Sequence, residues 1–175
     1  MAKIVMIVAP EGYRDEELDV PKKHFEGNGH DVTVASTKKG TCTGAKGGTV
    51  EATFTLEEIT VDDYDAVIFV GGPGTPIIRK EAKATEIAKE AAAKEKVVAA
   101  ICWACTTLAK AGILEGKKAT VWVGNDSEYG MTTDKVMEKF GASYEKKGVV
   151  VDGKFVTADG PAHAEQFAEE IEKLL

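Results

Sequence analysis

The stretch from Lys96 to Gly112 leaves the chain little freedom in how it can fold. Val97-Val98-Ala99-Ala100-Ile101 is an unbroken apolar run, as expected of a parallel strand buried on both faces. Ala104 to Ala111 follows with helical composition, and Gly112 suits a helix C-terminus. Cys102 falls between the two, with almost no residues to spare for a loop. A strand that turns this sharply into a helix pushes the side chain at the turn out of the sheet, as nucleophile elbows do. The sulfur then faces the positive end of the helix dipole, which favours thiolate. A buried structural cysteine is the competing reading of the same residue.

The rest of the chain repeats the alternation. Strands are expected at Lys3–Ala9, Asp31–Ser36, Asp65–Val70 and Ala119–Val123. Helices are expected at Asp15–Gly27, Glu81–Lys94, Thr132–Phe140 and Pro161–Leu175. Asp15 reads as the N-cap of the first helix, and Pro21 as a kink or break within it. Turns at Lys39-Gly40 and Lys46-Gly47-Gly48 mark a small hairpin running to Phe54. Val149–Asp152 and Phe155–Thr157 pair across Asp152-Gly153. Strands alternating with helices give an α/β fold, a mostly parallel central sheet covered on both faces. No repeat or linker divides residues 1–175, so one domain is expected.

Composition removes several classes of function. A net charge of -7 with no basic stretch argues against nucleic-acid binding. No apolar run is long enough to cross a membrane, and the short apolar N-terminus ends in Pro10-Glu11-Gly12 rather than a cleavage site. Three cysteines are an odd set for a disulfide scaffold, so a reducing cytoplasm is the expected location.

Parallel sheets place their sites at the carboxyl ends of the strands. Three segments converge there: Cys102, the Gly71-Gly72-Pro73-Gly74 loop, and Pro10 to Glu17. Attack by a thiolate on a carbonyl needs donors for the developing oxyanion. The bare backbone at Gly71 and Gly72 and the amide of Trp103 are candidates, although a tight turn alone explains one or two glycines. Arg14-Asp15-Glu16-Glu17 reads mostly as a solvated helix start, from which one residue could face the cysteine. Cys102 and Cys105 form a Cys-x-x-Cys pair, redox-active in one reading and with Cys105 buried and structural in the other. One such pair and three scattered histidines, His24, His30 and His163, are too few for zinc, so no metal and no cofactor is expected.

Pro10-Glu11-Gly12-Tyr13-Arg14-Asp15-Glu16-Glu17-Leu18, Val70-Gly71-Gly72-Pro73-Gly74 and Ala100-Ile101-Cys102, with Leu108 to Thr120 and the closing Ala158-Asp159-Gly160-Pro161, together resemble the ThiJ/PfpI family of the class I glutamine amidotransferase-like superfamily. The resemblance implies a flavodoxin-like three-layer sandwich and a homo-oligomer, a dimer or larger. It implies Cys102 as nucleophile, Glu17 as the carboxylate beside the sulfur, and Gly71, Gly72 and the Trp103 amide at the oxyanion hole. The chain departs from the family pattern at two places. PfpI-type members carry His directly after the nucleophile, where this chain has Trp103; other members carry one at the end of the following strand, where it has Trp122. His163 is then the remaining histidine near a strand end. Family activities include glutathione-independent glyoxalase, deglycase and peptidase chemistry, chaperone-like holding and oxidative-stress sensing. Without a Cys–His couple, peptidase activity is the least expected. Glyoxalase or deglycase-like chemistry on a small reactive carbonyl, with Glu17 moving protons and two tryptophans narrowing the pocket, is the leading expectation. The alternative is a stress sensor, or a chaperone-like protein, whose Cys102 reacts with an oxidant and does not turn over.

Overall fold

The computed structural model describes all 175 residues. Seven strands form the central sheet: β1 (Lys3–Ile7), β2 (Asp31–Ser36), β3 (Phe54–Thr55), β4 (Ala66–Phe69), β5 (Val97–Ile101), β6 (Val149–Asp152) and β7 (Phe155–Ala158). Their order across the sheet is β6-β7-β5-β4-β1-β2-β3, parallel except for the β6–β7 hairpin. The five inner strands have the flavodoxin-like arrangement. Alternation along β1 divides the core. Val5 and Ile7 enter one layer, which includes Ile87 of α3 (Ala82–Ala93) and Leu108 of α4 (Cys105–Lys110). Ile4 and Met6 enter the other, with Leu18 and Phe25 of α1 (Asp15–Gly27) and Phe167 and Ile171 of α6 (Ala164–Glu172). The sequence expectation of a three-layer sandwich is met. No helix is long and apolar enough to cross a membrane.

Several local expectations change. Asp15 is the first residue of α1, not its cap; Arg14 holds the cap position. The Asp15 carboxylate instead accepts the Lys46 and Gly48 N–H groups at 2.8 and 2.7 Å, pinning the tip of the Gly40–Gly44/Thr49–Ala52 hairpin to the helix start. Helix α1 runs through Pro21 without a break, although the ring has no N–H to offer the Glu17 carbonyl one turn back. Phe54 belongs to the main sheet, where it pairs with Ala35. Of the strand expected at Ala119–Val123, only Lys118–Ala119 is laddered, against Ser143–Tyr144. Beyond it, side chains replace the ladder: Thr120 N–H donates to Thr157 Oγ1 at 3.0 Å and Gly124 N–H to Thr133 Oγ1 at 3.1 Å. This irregular stretch leaves the sheet and carries Trp122 back over the carboxyl end of β5, where its N–H reaches the Cys102 carbonyl at 3.4 Å. A short helix, α2 (Thr75–Arg79), follows the glycine loop, and α5 (Thr133–Lys139) completes the set.

Candidate active site

Cys102 has φ +63°, in the left-handed region, and is one of two non-glycine residues with positive φ. Such a backbone costs of order 1–3 kcal/mol and persists only where its surroundings enforce it. Here they are β5 on one side and a 3₁₀ turn, Cys102–Ala104, on the other. The helix proper begins only at Cys105 and ends at Lys110. The dipole offered to the sulfur is therefore smaller than the helix expected from Ala104 to Ala111 would give, and burial outweighs it: Cys102 is 9% exposed.

Glu17, on the first turn of α1, is fully buried and meets the elbow from the opposite side. The Cys102 thiol and the Gly71 N–H face its carboxyl, yet neither oxygen closes a well-aligned hydrogen bond. A Cβ on Gly71 would overlap the Ile101 carbonyl and the Glu17 carboxyl and come within 2.8 Å of the Cys102 Cβ, so only glycine lets these groups converge. Burial pushes the Glu17 carboxyl up to about 7, against the pull of the thiol, the Arg14 charge and the Gly71 N–H. Burial likewise pushes the Cys102 thiol up, as does a charged Glu17, while the Trp103 N–H pulls it down. Two adjacent buried anions are the costly arrangement, so the groups share one proton, and ionisation of either one holds the proton on the other.

A cavity of about 360 Å³ opens above this pair, lined by Arg14, Gly72, Pro73, Trp103, Trp122 and Pro161 as well as Cys102 and Glu17. Gly72, at φ +113°, is packed so that a Cβ would overlap the Arg14 amide, and Arg14 N–H donates to Gly71 O at 2.8 Å. The two indoles pack together with centroids 5.6 Å apart. Trp103 Nε1–H donates to Asp126 at 2.9 Å. Asp126 is in turn gripped by Arg79, at 2.5 and 3.0 Å. Arg79 is fully buried, also donates to Thr106 Oγ1 at 2.9 Å and Glu128 at 2.7 Å, and lies over the Tyr129 ring. Burial opposes charge on both partners; their pairing nevertheless holds the Asp126 carboxyl below, and the Arg79 guanidinium above, the ordinary values.

Of the site residues expected from sequence, Cys102, Glu17, Gly72, Trp103 and Trp122 line one cavity, and Gly71 lies directly behind it with its N–H turned to Glu17. His163 does not line it. The ring packs on Gly148, and Nδ1 donates to Asp159 at 2.6 Å. Its neighbour Pro161 takes the place at the wall. Sequence reading missed the Arg79–Asp126 pair, which no periodicity marks, and left Arg14 as a solvated charge.

Cys105 is fully buried, with its Sγ–H directed at Ala100 O and Ala158 O at 3.3 and 3.5 Å, and Cys42 is fully buried in the other layer. Native protein treated with iodoacetamide is therefore expected to gain one adduct, on Cys102, by peptide mass mapping. A second adduct before unfolding would show that one of the other thiols opens.

Relatives share this arrangement of elements. A ThiJ/PfpI domain protein from Brachyspira murdochii superposes with a TM-score of 0.91 at 30% identity, over 98% of this chain and 95% of that one. An uncharacterized protein of Methanocaldococcus jannaschii is 42% identical over 99% of this chain and 82% of its own length. Deglycase PfpI of Pyrococcus furiosus is 34% identical over 99% of both. The sequence model of the DJ-1/PfpI family matches residues 2–174, and with these relatives it makes the chain a member of the DJ-1/PfpI family.

Proposed function

We propose that this protein converts small reactive carbonyl compounds, in glyoxalase or deglycase fashion, through the Cys102 thiolate with Glu17 as its proton carrier. The observation that carries the reading is the buried Glu17 carboxyl, facing the sulfur and lacking a well-aligned partner, which a substrate oxygen would supply. The thiol proton passes to Glu17, and the sulfur adds to the aldehyde carbon. Glu17 returns the proton to the resulting alkoxide, giving a hemithioacetal. The Glu17 carboxylate left by that transfer then takes the proton from the former aldehyde carbon and hands it to the neighbouring carbonyl oxygen, giving the enediol. Glu17 next takes the hydroxyl proton from the sulfur-bearing carbon and delivers it to the adjacent carbon, giving a thioester, which water cleaves to free the thiol. For methylglyoxal the balance is substrate plus water to lactate, with no redox partner. The Trp103 N–H, which faces the sulfur, is the backbone donor offered to the developing oxyanion, with Gly72 in the same cavity wall.

The naming of the Pyrococcus relative as a deglycase supports the class. Peptidase chemistry is disfavoured because each histidine is engaged elsewhere: His24 with Glu165, His30 with Glu172, and His163 with Asp159. Purified protein is expected to form lactate from methylglyoxal, and Cys102→Ser to lose that activity by at least about 10³-fold. Absence of lactate from wild type, with Cys102 still oxidised by peroxide, would move the reading to a redox sensor.

A further inference from the structure

We propose that Arg14 makes this pocket selective for carbonyl compounds that carry a carboxylate, so that the substrate class is an acidic 2-oxo aldehyde rather than a neutral one. The carbonyl half of this statement rests on the function proposed above; the anion half stands on the pocket itself.

Apart from the Glu17–Cys102 pair, Arg14 is the sole ionisable side chain among the residues that line the cavity, whose walls are otherwise two tryptophans, two prolines and a glycine. Its guanidinium is held from one side only. Nε donates to Glu16 at 2.8 Å and Nη2 at 3.5 Å, while Nη1 makes no hydrogen bond within the protein. Glu16 does not belong to Arg14 alone, because Lys46 donates to the same carboxylate at 2.7 Å. Two cations thus share one anion, and Arg14 keeps charge and a free edge to offer. Its root is fixed: the amide is tied to Gly71 O at 2.8 Å and abuts Gly72 so closely that no side chain fits there. With the backbone locked at the rim, Arg14 stays among the residues that line the cavity, and its charge bears on both Glu17 and Cys102. An ionised acceptor is what an arginine so placed recognises best.

A 2-oxo aldehyde with a carboxylate at its far end satisfies both halves of the pocket. The aldehyde carbon meets the Cys102 sulfur, and the carboxylate meets Arg14. For 4,5-dioxopentanoate the chemistry described above balances as substrate plus water to 2-hydroxyglutarate. The carboxylate is untouched and no oxidant is consumed.

The test uses two alkylating probes that differ in charge and need no turnover, iodoacetate and iodoacetamide. The rate of Cys102 alkylation by each is measured by mass spectrometry for wild type, Arg14→Gln and Arg14→Lys. Free thiols react more slowly with the anion. Here iodoacetate is expected to be the faster probe and to saturate. Arg14→Gln is expected to lower the iodoacetate-to-iodoacetamide rate ratio by roughly 10- to 100-fold, with partial recovery in Arg14→Lys. Because the ratio is taken on one sulfur, any change in thiol acidity cancels. A ratio that Arg14→Gln leaves unchanged overturns the proposal, whatever the enzyme does with methylglyoxal. In the second arm, wild type is expected to favour 4,5-dioxopentanoate over methylglyoxal by about tenfold or more in kcat/KM, through KM. Equal use of both substrates overturns the substrate class. Failure to convert either, with the alkylation ratio intact, overturns the carbonyl chemistry and leaves Arg14 as an anion site.

Discussion

Asp126→Ala is expected to cost the fold about 3–5 kcal/mol, the penalty for stranding a buried charge. Asp126 is fully buried and accepts from both terminal nitrogens of Arg79 and from Trp103 Nε1. Removing it leaves a fully buried guanidinium with the Thr106 hydroxyl and partly exposed Glu128 as its remaining hydrogen-bond partners, and Nε already has none. At this chain length the loss corresponds to a fall in Tm of about 6–20 °C. Guanidinium denaturation is the direct measure, with the midpoint moving and the slope unchanged. The double variant Arg79→Met/Asp126→Leu is expected to recover most of the loss, because the cost lies in the orphaned partner rather than in the missing pair. A single variant within about 1 kcal/mol of wild type would mean that water reaches Arg79 in solution.

Glu17→Gln is expected to gain on wild type by about 3 kcal/mol between pH 4 and pH 8. Glu17 is raised in the fold from 4.5 to about 7. Below pH 4.5 both the folded and the unfolded chain hold the proton, and the residue adds no pH dependence. As pH rises from 4.5 to 7, the unfolded chain releases the proton while the fold retains it, and stability drains away by about 1.4 kcal/mol per pH unit before levelling off. Glutamine has no proton to lose, so its stability curve lacks that slope. Urea denaturation of both proteins across this range reads the difference. Parallel curves would mean that Glu17 is ionised in the fold and that Cys102 faces a carboxylate, not an acid. Glu17 is thus expected to weaken the fold at neutral pH, the trade of stability for activity that the proposed role in proton transfer would entail.

The elements with strong periodicity were legible from sequence, and so was the elbow, because Val97–Ile101 leaves Cys102 no loop to occupy. Glu17 was legible through the resemblance and not from its own run, where four consecutive charges look alike until packing selects the one that faces inward. The stretch after Ala119 misled because Thr-Val-Trp-Val has strand composition. Its hydrogen bonds are taken instead by threonine side chains brought in from Thr157 and Thr133. Arg79 and Asp126 are distant in sequence and carry no local signature; only the fold brings the α2 end and the loop after Trp122 to the same buried spot. His163 shows the reverse error, since lying near a strand end does not fix which way a ring points.

Both tryptophans of the chain stand at the mouth of this pocket, and none lies in either core layer away from it. Intrinsic emission is therefore a local optical reporter, whereas far-ultraviolet circular dichroism reads the whole backbone. Because Trp103 is tethered through Asp126 to Arg79, its spectrum also registers the integrity of a buried ion pair. A fluorescence transition that precedes the dichroic one on heating would mark a native state whose mouth loosens before its sheet, and coincident transitions would mark a site that melts only with the whole molecule.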